Sequence, residues 1–385
     1  MRALWRDVQH LIQTYRGERP LVEFLKAYFK QNSRLGSRDR KILTEAVFSW
    51  YRAAGGFSDA LSFEEKMKAC IRLCGTEPKL SMLLPDAAFF PEKALGERLK
   101  SAQEEGFDME KLLPEDVLFS EGISREAWIF SLLKQPRLFV RLRPGADRKT
   151  LFNTLEKAGV SYEENFPGCI ALPANTPLHT LWPQAAYTVQ DWGSQKICGF
   201  LKPQKGEAWW DTCAGGGGKS LFLKDAFPQL KLLSSDIRPG ALRALETRFK
   251  ELGQKPPQTR VLDASDAAAL SSQMGAETFD AVVCDVPCSG SGTWARTPEM
   301  RYFFRKESLG ALAQLQTRIA QNSARHLKPG GRLIYATCSV FQEENEVVVE
   351  ALISGNKGLL LEEMSLQNGI PHNGDSLFVA VLRKN

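Results

Sequence analysis

Cysteine is scarce in this chain: eight among 385 residues. They lack the tight, regular spacing of a disulfide framework, which argues against a small secreted scaffold. Cys70 and Cys74 lie one helical turn apart without a matching His or Cys pair, so they read as packing residues and no metal is expected. Long apolar runs are missing too, and none approaches the length that spans a bilayer. The opening Met1-Arg2-Ala3-Leu4-Trp5-Arg6-Asp7 leads into no signal-like apolar core. No membrane partner and a cytoplasmic location are therefore expected. Charge of one sign is not in large excess: a net +5 permits a nucleic-acid partner without demanding one. Two nucleotide signatures are also absent. The glycine spacing is not that of a dinucleotide fingerprint, and Gly-Gly-Gly-Gly-Lys-Ser fits a P-loop only if Cys213 stands in for a glycine. That removes the NTPase reading.

What is present is an ordinary globular composition, 43% hydrophobic and 25% charged, long enough for two or three domains. Residues 1–135 read as helical. Val8, Leu11, Ile12 and Tyr15 repeat at helical spacing, as do Val22, Leu25 and Phe29. Ser37 stands where an N-cap would precede Ile42, Leu43, Ala46, Val47 and Trp50. The first sixty residues lean basic, which suits an RNA-contacting face and a solvated helix surface equally. From Glu64 to Glu126 the balance turns acidic. Residues 136–186 read as a small α+β linker domain, with a strand from Leu138, a helix from Asp147 to Gly159 and a strand Cys169–Leu172. Arg141 and Arg143 share one face of the first strand, where they suit a phosphate grip or a solvated edge.

Residues 187–385 read as one Rossmann-like α/β domain. Ala208-Trp209-Trp210-Asp211 leads into Thr212-Cys213-Ala214-Gly215-Gly216-Gly217-Gly218-Lys219-Ser220 and then a helix. Strand, glycine loop and helix is the order that brings backbone amides against a nucleotide. Three strands then end in acids: Lys231 to Asp236, Thr259 to Asp263 and Phe279 to Asp285. A single strand-end Asp is usually a turn former, but three in succession fit an adenosine-bearing cofactor without a diphosphate, which points to S-adenosylmethionine. Asp285-Val-Pro-Cys288-Ser-Gly-Ser-Gly292 follows an apolar strand, and Cys338 ends another, Arg332 to Thr337. Ligands sit at the carboxyl ends of such strands.

Two thiols and a carboxylate there suit one demanding reaction, methylation of a pyrimidine carbon. Carbon 5 becomes nucleophilic only after a thiolate adds to carbon 6. An acid must assist at nitrogen 3, and a base must later strip the carbon-5 proton so that the thiol leaves. Cys338, Asp285 and Cys288 supply those groups. From the Pro-Cys pair alone, Cys288 would be the nucleophile, as in DNA cytosine methyltransferases.

The chain resembles the RsmB/Nop/Sun family of RNA 5-methylcytosine methyltransferases. Asp285-Val-Pro-Cys288-Ser-Gly-Ser-Gly292 is similar to that family's Asp-Ala-Pro-Cys-Ser-Gly-Thr-Gly. Thr337-Cys338-Ser339, with Glu343-Glu-Asn-Glu346 beyond it, is similar to its Thr-Cys-Ser and trailing Glu-Asn-Glu. The loop from Asp211 to Lys219 is similar to its cofactor loop, with Gly215 for the second alanine and Gly216 for the proline. Trp294 is unexpected against that pattern. Gly36-Ser-Arg38-Asp39-Arg40 resembles the NusB-like all-α RNA-binding domain that precedes the catalytic part in some members. The resemblance implies Cys338 as nucleophile, Cys288 as the residue assisting elimination, and Asp285 in contact with cytosine and cofactor. It also implies that Cys213, Ala214, Gly215, Gly216, Gly217, Gly218, Lys219, Asp236 and Asp263 hold S-adenosylmethionine. Ribosomal RNA is the expected substrate and a monomer the expected state. The alternatives are the same chemistry on tRNA, and an RNA-binding assembly factor without turnover.

Overall fold

The structure is a computed structural model that describes residues 2–84 and 89–385. Residues 85–88, inside the stretch read as helical, lie outside the described residues. The chain forms two compact units, and neither is continuous in sequence. One comprises Met1–Val117, Ser124–Gln135 and Thr293–Lys306; the other comprises Leu118–Ile123, Pro136–Gly292 and Glu307–Asn385. The sequence reading placed all of 1–135 in one domain and all of 187–385 in another. The structure instead assigns one short segment of each stretch to the other unit.

The first unit is helical. Its helices Arg2–Thr14, Leu21–Gln31, Ser37–Ala53, Phe63–Cys74, Leu95–Glu104 and Arg125–Leu132 are joined by Pro298–Tyr302. Val8, Leu11, Tyr15 and Leu25 are buried, as their spacing requires. Val22 is not: it is 48% exposed, and Leu21 takes its place inward. Ser37 is the first helical residue and not the cap, because Gly36 holds the cap position and its carbonyl accepts the Arg40 N–H. The late segment earns its place here through buried side chains. Trp294 packs against Trp128 and Phe304, which accounts for the unexpected indole. Arg301 donates to the Leu112 and Tyr51 carbonyls, and Glu299 accepts from Leu21 N–H. Cys70 and Cys74 are buried among these helices.

The second unit holds two sheets. The smaller is antiparallel, built from β1 (Leu138–Leu142), β2 (Glu163–Phe166), β3 (Cys169–Leu172) and β4 (Tyr187–Val189) in the order β2-β3-β1-β4. It extends three residues past 186, where the sequence reading closed this region. Arg141 and Arg143 neither await phosphate nor line a solvated edge. Both pair with Asp225, at 2.7 and 3.0 Å, and Gln254 donates to the same carboxylate at 2.7 Å. Alternation does put both guanidiniums on one face, but that face meets a helix whose Asp225 lies 84 residues from Arg141.

The larger sheet contains β5 (Ala208–Asp211), β6 (Lys231–Asp236), β7 (Gln258–Val261), β8 (Phe279–Asp285), β9 (Leu327–Thr337), β10 (Leu359–Gln367) and β11 (Leu377–Lys384). Their order is β10-β11-β9-β8-β5-β6-β7. Strands β5 to β9 pair in parallel, and β11 runs antiparallel to β9 and to β10. Ala281, Val282, Val283 and Cys284 of central β8 are wholly buried, the burial expected of a parallel strand covered on both faces. Strand order reverses between β5 and β8, so a crevice opens at their carboxyl ends. This Rossmann-like arrangement is the expected fold class, with helices ahead of it and a small mixed insert between.

Candidate active site

Adjacent strands bring the two thiols together. β8 and β9 pair with Asp285 opposite Ala336, so the residues just past each end emerge side by side. Cys288 and Cys338 are half-buried with their sulfurs 3.3 Å apart. The hydrogen bond shared with Cys338 and burial raise the pKa of the Cys288 thiol. By contrast, Cys70, Cys74, Cys169, Cys198 and Cys284 are buried packing groups.

Asp285 is 34% exposed and receives Lys219 Nζ at 2.5 Å. Burial works against the Lys219 ammonium, but the Asp285 carboxylate more than offsets this and its pKa rises. The glycine loop and the strand-end acid are thus one charged unit, a link that the sequence reading did not make. Lys219 is the second residue of the helix Gly218–Ala226, whose first-turn N–H groups have no partner within the helix itself.

The loop itself is fixed at its base and open at its crest. Ala214 N–H donates to Ser235 O at 2.8 Å, and Gly215 N–H to Asp236 Oδ2 at 2.9 Å. Gly217 is left-handed, at φ +77°, and a Cβ there would meet Leu245 at 2.6 Å, so this position demands glycine. Gly216 faces open space, with no heavy atom within 4 Å of an added Cβ. Cys213 is half-buried beside Thr212. Burial disfavours the Asp236 carboxylate, but hydrogen bonds from Arg238 and Gly215 outweigh it and lower its pKa. Asp263 lies two residues past β7, and its Oδ1 accepts the Ser265 N–H and hydroxyl, a turn-forming role.

Asp211, the last residue of β5, is buried and bonds Ser220 Oγ at 2.6 Å through Oδ2. Among the described residues its Oδ1 has no hydrogen-bond partner. Burial pushes this carboxyl up to about 6. A raised folded-state pKa contributes stability that is fully present below the unfolded value, 3.8, and lost as pH rises through about 6. Asp211→Asn is therefore expected to gain on wild type by on the order of 3 kcal/mol between pH 4 and 7. Urea unfolding of both proteins across that range measures the difference; a pH-independent difference would sink the idea.

The sequence reading also missed Glu344. It is fully buried and accepts from the residues that follow each thiol, Ser289 and Ser339. The available signal was an acid inside Glu343-Glu-Asn-Glu346 flanked by Val340, Phe341 and Val347 to Val349, a poor setting for a solvated charge. Among the described residues no group of three or more His, Cys, Asp or Glu side chains is placed to hold a metal. Nor is any described helix long and apolar enough to cross a membrane.

Residues 198–383 match the family model of the 16S rRNA methyltransferase RsmB/F. Ribosomal RNA small subunit methyltransferase B of Salmonella arizonae is 31% identical over 263 residues, covering 65% of this chain and 60% of that protein. The chain thus spans about three-fifths of the length of that relative. Among solved structures, PH0851 superposes with a TM-score of 0.69 at 21% identity, covering 93% of each chain. NSun6 from Pyrococcus horikoshii, solved with SFG, gives 0.59 at 16% identity, covering 67% of this chain and 94% of that one. At such identities these structures speak for the fold alone. Over residues 198–383 the chain is thus similar to the RsmB/F methyltransferases, the group whose model it matches.

Proposed function

We propose that this protein methylates carbon 5 of a cytosine in RNA, with ribosomal RNA the substrate and S-adenosylmethionine the methyl donor. The observation that carries the reading is the pair of half-buried thiols, 3.3 Å apart, at the ends of adjacent strands and beside the Lys219–Asp285 pair. A binding protein has no use for that arrangement. The residues fit the cofactor: the crest of the loop at Gly216 has room, and Asp211 Oδ1 lacks a partner. Cys213, Ala214, Gly215, Gly216, Gly217, Gly218 and Lys219 would cradle it, with Asp236, Asp263 and Asp285 around it. When bound, S-adenosylmethionine supplies an electrophilic methyl group.

The chain's own residues do the rest. Cys338 sulfur forms a bond to carbon 6 of the flipped-out cytosine, which makes carbon 5 electron-rich. Asp285, held by Lys219, faces the base and contacts its polar edge. After carbon 5 has gained the methyl group, Cys288 gives its proton to the departing Cys338 sulfur and takes the carbon-5 proton, so the carbon 6–sulfur bond breaks and the 5,6 double bond re-forms. Cys288 assists that release, since it already holds a hydrogen bond with the sulfur that departs. In this reading residues 1–135 contribute an RNA-binding surface through their basic helices, 136–186 form a linker domain, and the protein works in the cytoplasm.

The test is chemical. Purified protein is given methyl-labelled cofactor with unmodified 16S rRNA, assembled small subunits or tRNA, and the RNA is digested to nucleosides. Labelled 5-methylcytidine from 16S rRNA is the expected product. Label only from tRNA would transfer the reading to that substrate, and label on another atom would overturn it. No cofactor binding at all would favour an assembly factor without turnover.

A further inference from the structure

Glu344 is buried completely, yet no basic side chain pairs with it among its hydrogen-bond partners. Its four bonds come from three residues. Oε1 accepts the Ser289 N–H at 2.8 Å and Gln316 Nε2 at 2.9 Å. Oε2 accepts the hydroxyls of Ser289 and Ser339, each at 2.5 Å. Ser289 follows Cys288 in the chain and Ser339 follows Cys338, so one carboxylate oxygen bridges the two loops that carry the thiols. Gln316 extends the grip, because the same amide also donates to Pro287 O at 3.0 Å, on the other side of Cys288.

The surroundings hold this carboxylate in place. Tyr335 hydroxyl donates to Glu344 O at 2.6 Å. Asn345 accepts from Thr337 and donates to Ser339 O, which fixes the turn from β9 to Glu344. Ser291 makes a parallel tie, 3.0 Å from Ser339 Oγ and accepting Val340 N–H at 2.9 Å. A buried charge without a cation is costly, and a neutral side chain of the same shape would serve packing better. A carboxylate here is therefore explained by what it orders.

We propose that Glu344 is a positioning residue: by bonding Ser289 and Ser339 together it sets the separation of the Cys288 and Cys338 sulfurs for covalent catalysis. The inference rests on the methyltransferase reading for its purpose but not for its test. Misplacement of reacting groups by about 1 Å is enough to cost on the order of a hundredfold in rate.

Thiol spacing is measured without RNA or cofactor, as the equilibrium of the protein with glutathione and glutathione disulfide. Two protein thiols and one glutathione disulfide give one protein disulfide and two glutathiones. The Cys288–Cys338 disulfide is quantified by peptide mapping after blocking free thiols. Wild type, Glu344→Gln, Ser339→Ala and a remote control, Glu362→Gln, are compared.

At least a tenfold fall in the effective thiol concentration is expected for Glu344→Gln and Ser339→Ala, with Glu362→Gln unchanged. Methyl transfer by Glu344→Gln should lose at least tenfold in kcat with the KM for RNA unchanged. Unchanged disulfide equilibria in folded Glu344→Gln and Ser339→Ala would overturn the proposal. Should Glu344→Gln fail to fold, Ser339→Ala, which removes one of the four bonds, decides alone. A shifted equilibrium in a protein that transfers no methyl group even as wild type would leave the positioning role standing and remove the methyltransferase reading.

Discussion

Cys338→Ala is expected to abolish methyl transfer, by roughly ten-thousand-fold or more, the scale of loss when a covalent nucleophile is removed. Cys288→Ala should also stop turnover, but at a different point. The two thiols touch, at 3.3 Å, so either could reach a base docked beside the pair and distance alone does not rank them. The resemblance of Thr337-Cys338-Ser339 to the family's Thr-Cys-Ser motif ranks them, with Cys338 as the attacking thiol. Cys288 shares a hydrogen bond with Cys338 at 3.3 Å, and that bond and burial raise its pKa. It is well suited to hold the sulfur that departs. With Cys288 replaced, attack by Cys338 proceeds and release stalls, so an RNA–protein adduct should survive denaturing electrophoresis. Cys338→Ala should give no adduct. The decisive experiment mixes wild type and both variants with cofactor and RNA and runs them under denaturing conditions. An adduct that requires Cys288 would reverse the two roles, as the Pro-Cys pair read by itself suggests.

The strand ends that carry the candidate residues were legible in the sequence. Asp236, Asp285 and Cys338 each close or follow an apolar run, and a parallel sheet converts those runs into one crevice. Pairings across long sequence distances were not legible. Arg141 and Arg143 looked exposed because their own strand says nothing of Asp225, which a helix delivers from far along the chain. Glu344 was quoted within Glu343-Glu-Asn-Glu346 but without a role, since only folding brings Ser289 and Ser339 to it. Strand β10 left little trace for a different reason. A register irregularity between Leu361 and Glu363 breaks the alternation on which strand reading depends. Likewise, nothing local marks Thr293–Lys306 as part of the helical unit; its buried Trp294 and Arg301 acquire meaning only beside Trp128 and Tyr51.

Gly292→Ala is expected to destabilise the second unit by on the order of 4 kcal/mol or more, a cost reserved for changes that displace backbone. Gly292 ends the Asp285-Val-Pro-Cys288 segment, and its main chain is bonded on both sides. Its N–H donates to Cys338 O at 2.8 Å, and its carbonyl accepts Ser376 N–H at 3.0 Å. A Cβ would fall 1.8 Å from Ser376 O and 3.0 Å from Cys338 O, and both obstacles are main chain that cannot rotate away. Relief requires moving the loop of Cys288 or the Ser376 main chain that leads into β11, with a smaller adjustment at Cys338. A shift of the Cys288 loop would lower stability and widen the thiol pair together. Gly216→Ala is the matched control, because its Cβ meets nothing and its φ lies outside the left-handed region. That substitution should be neutral or stabilise by about 0.5 kcal/mol through the unfolded chain. Denaturant unfolding of the two variants, with the glutathione equilibrium of whatever remains folded, separates the cases. A Gly292→Ala protein as stable as wild type, with its glutathione equilibrium shifted, would mean that the Cys288 loop moves at little cost. In that event the 3.3 Å sulfur contact could not be a fixed feature of the site. Cys288 would then have no standing contact through which to assist release, and the order of events assigned to the two cysteines would lose its geometric basis.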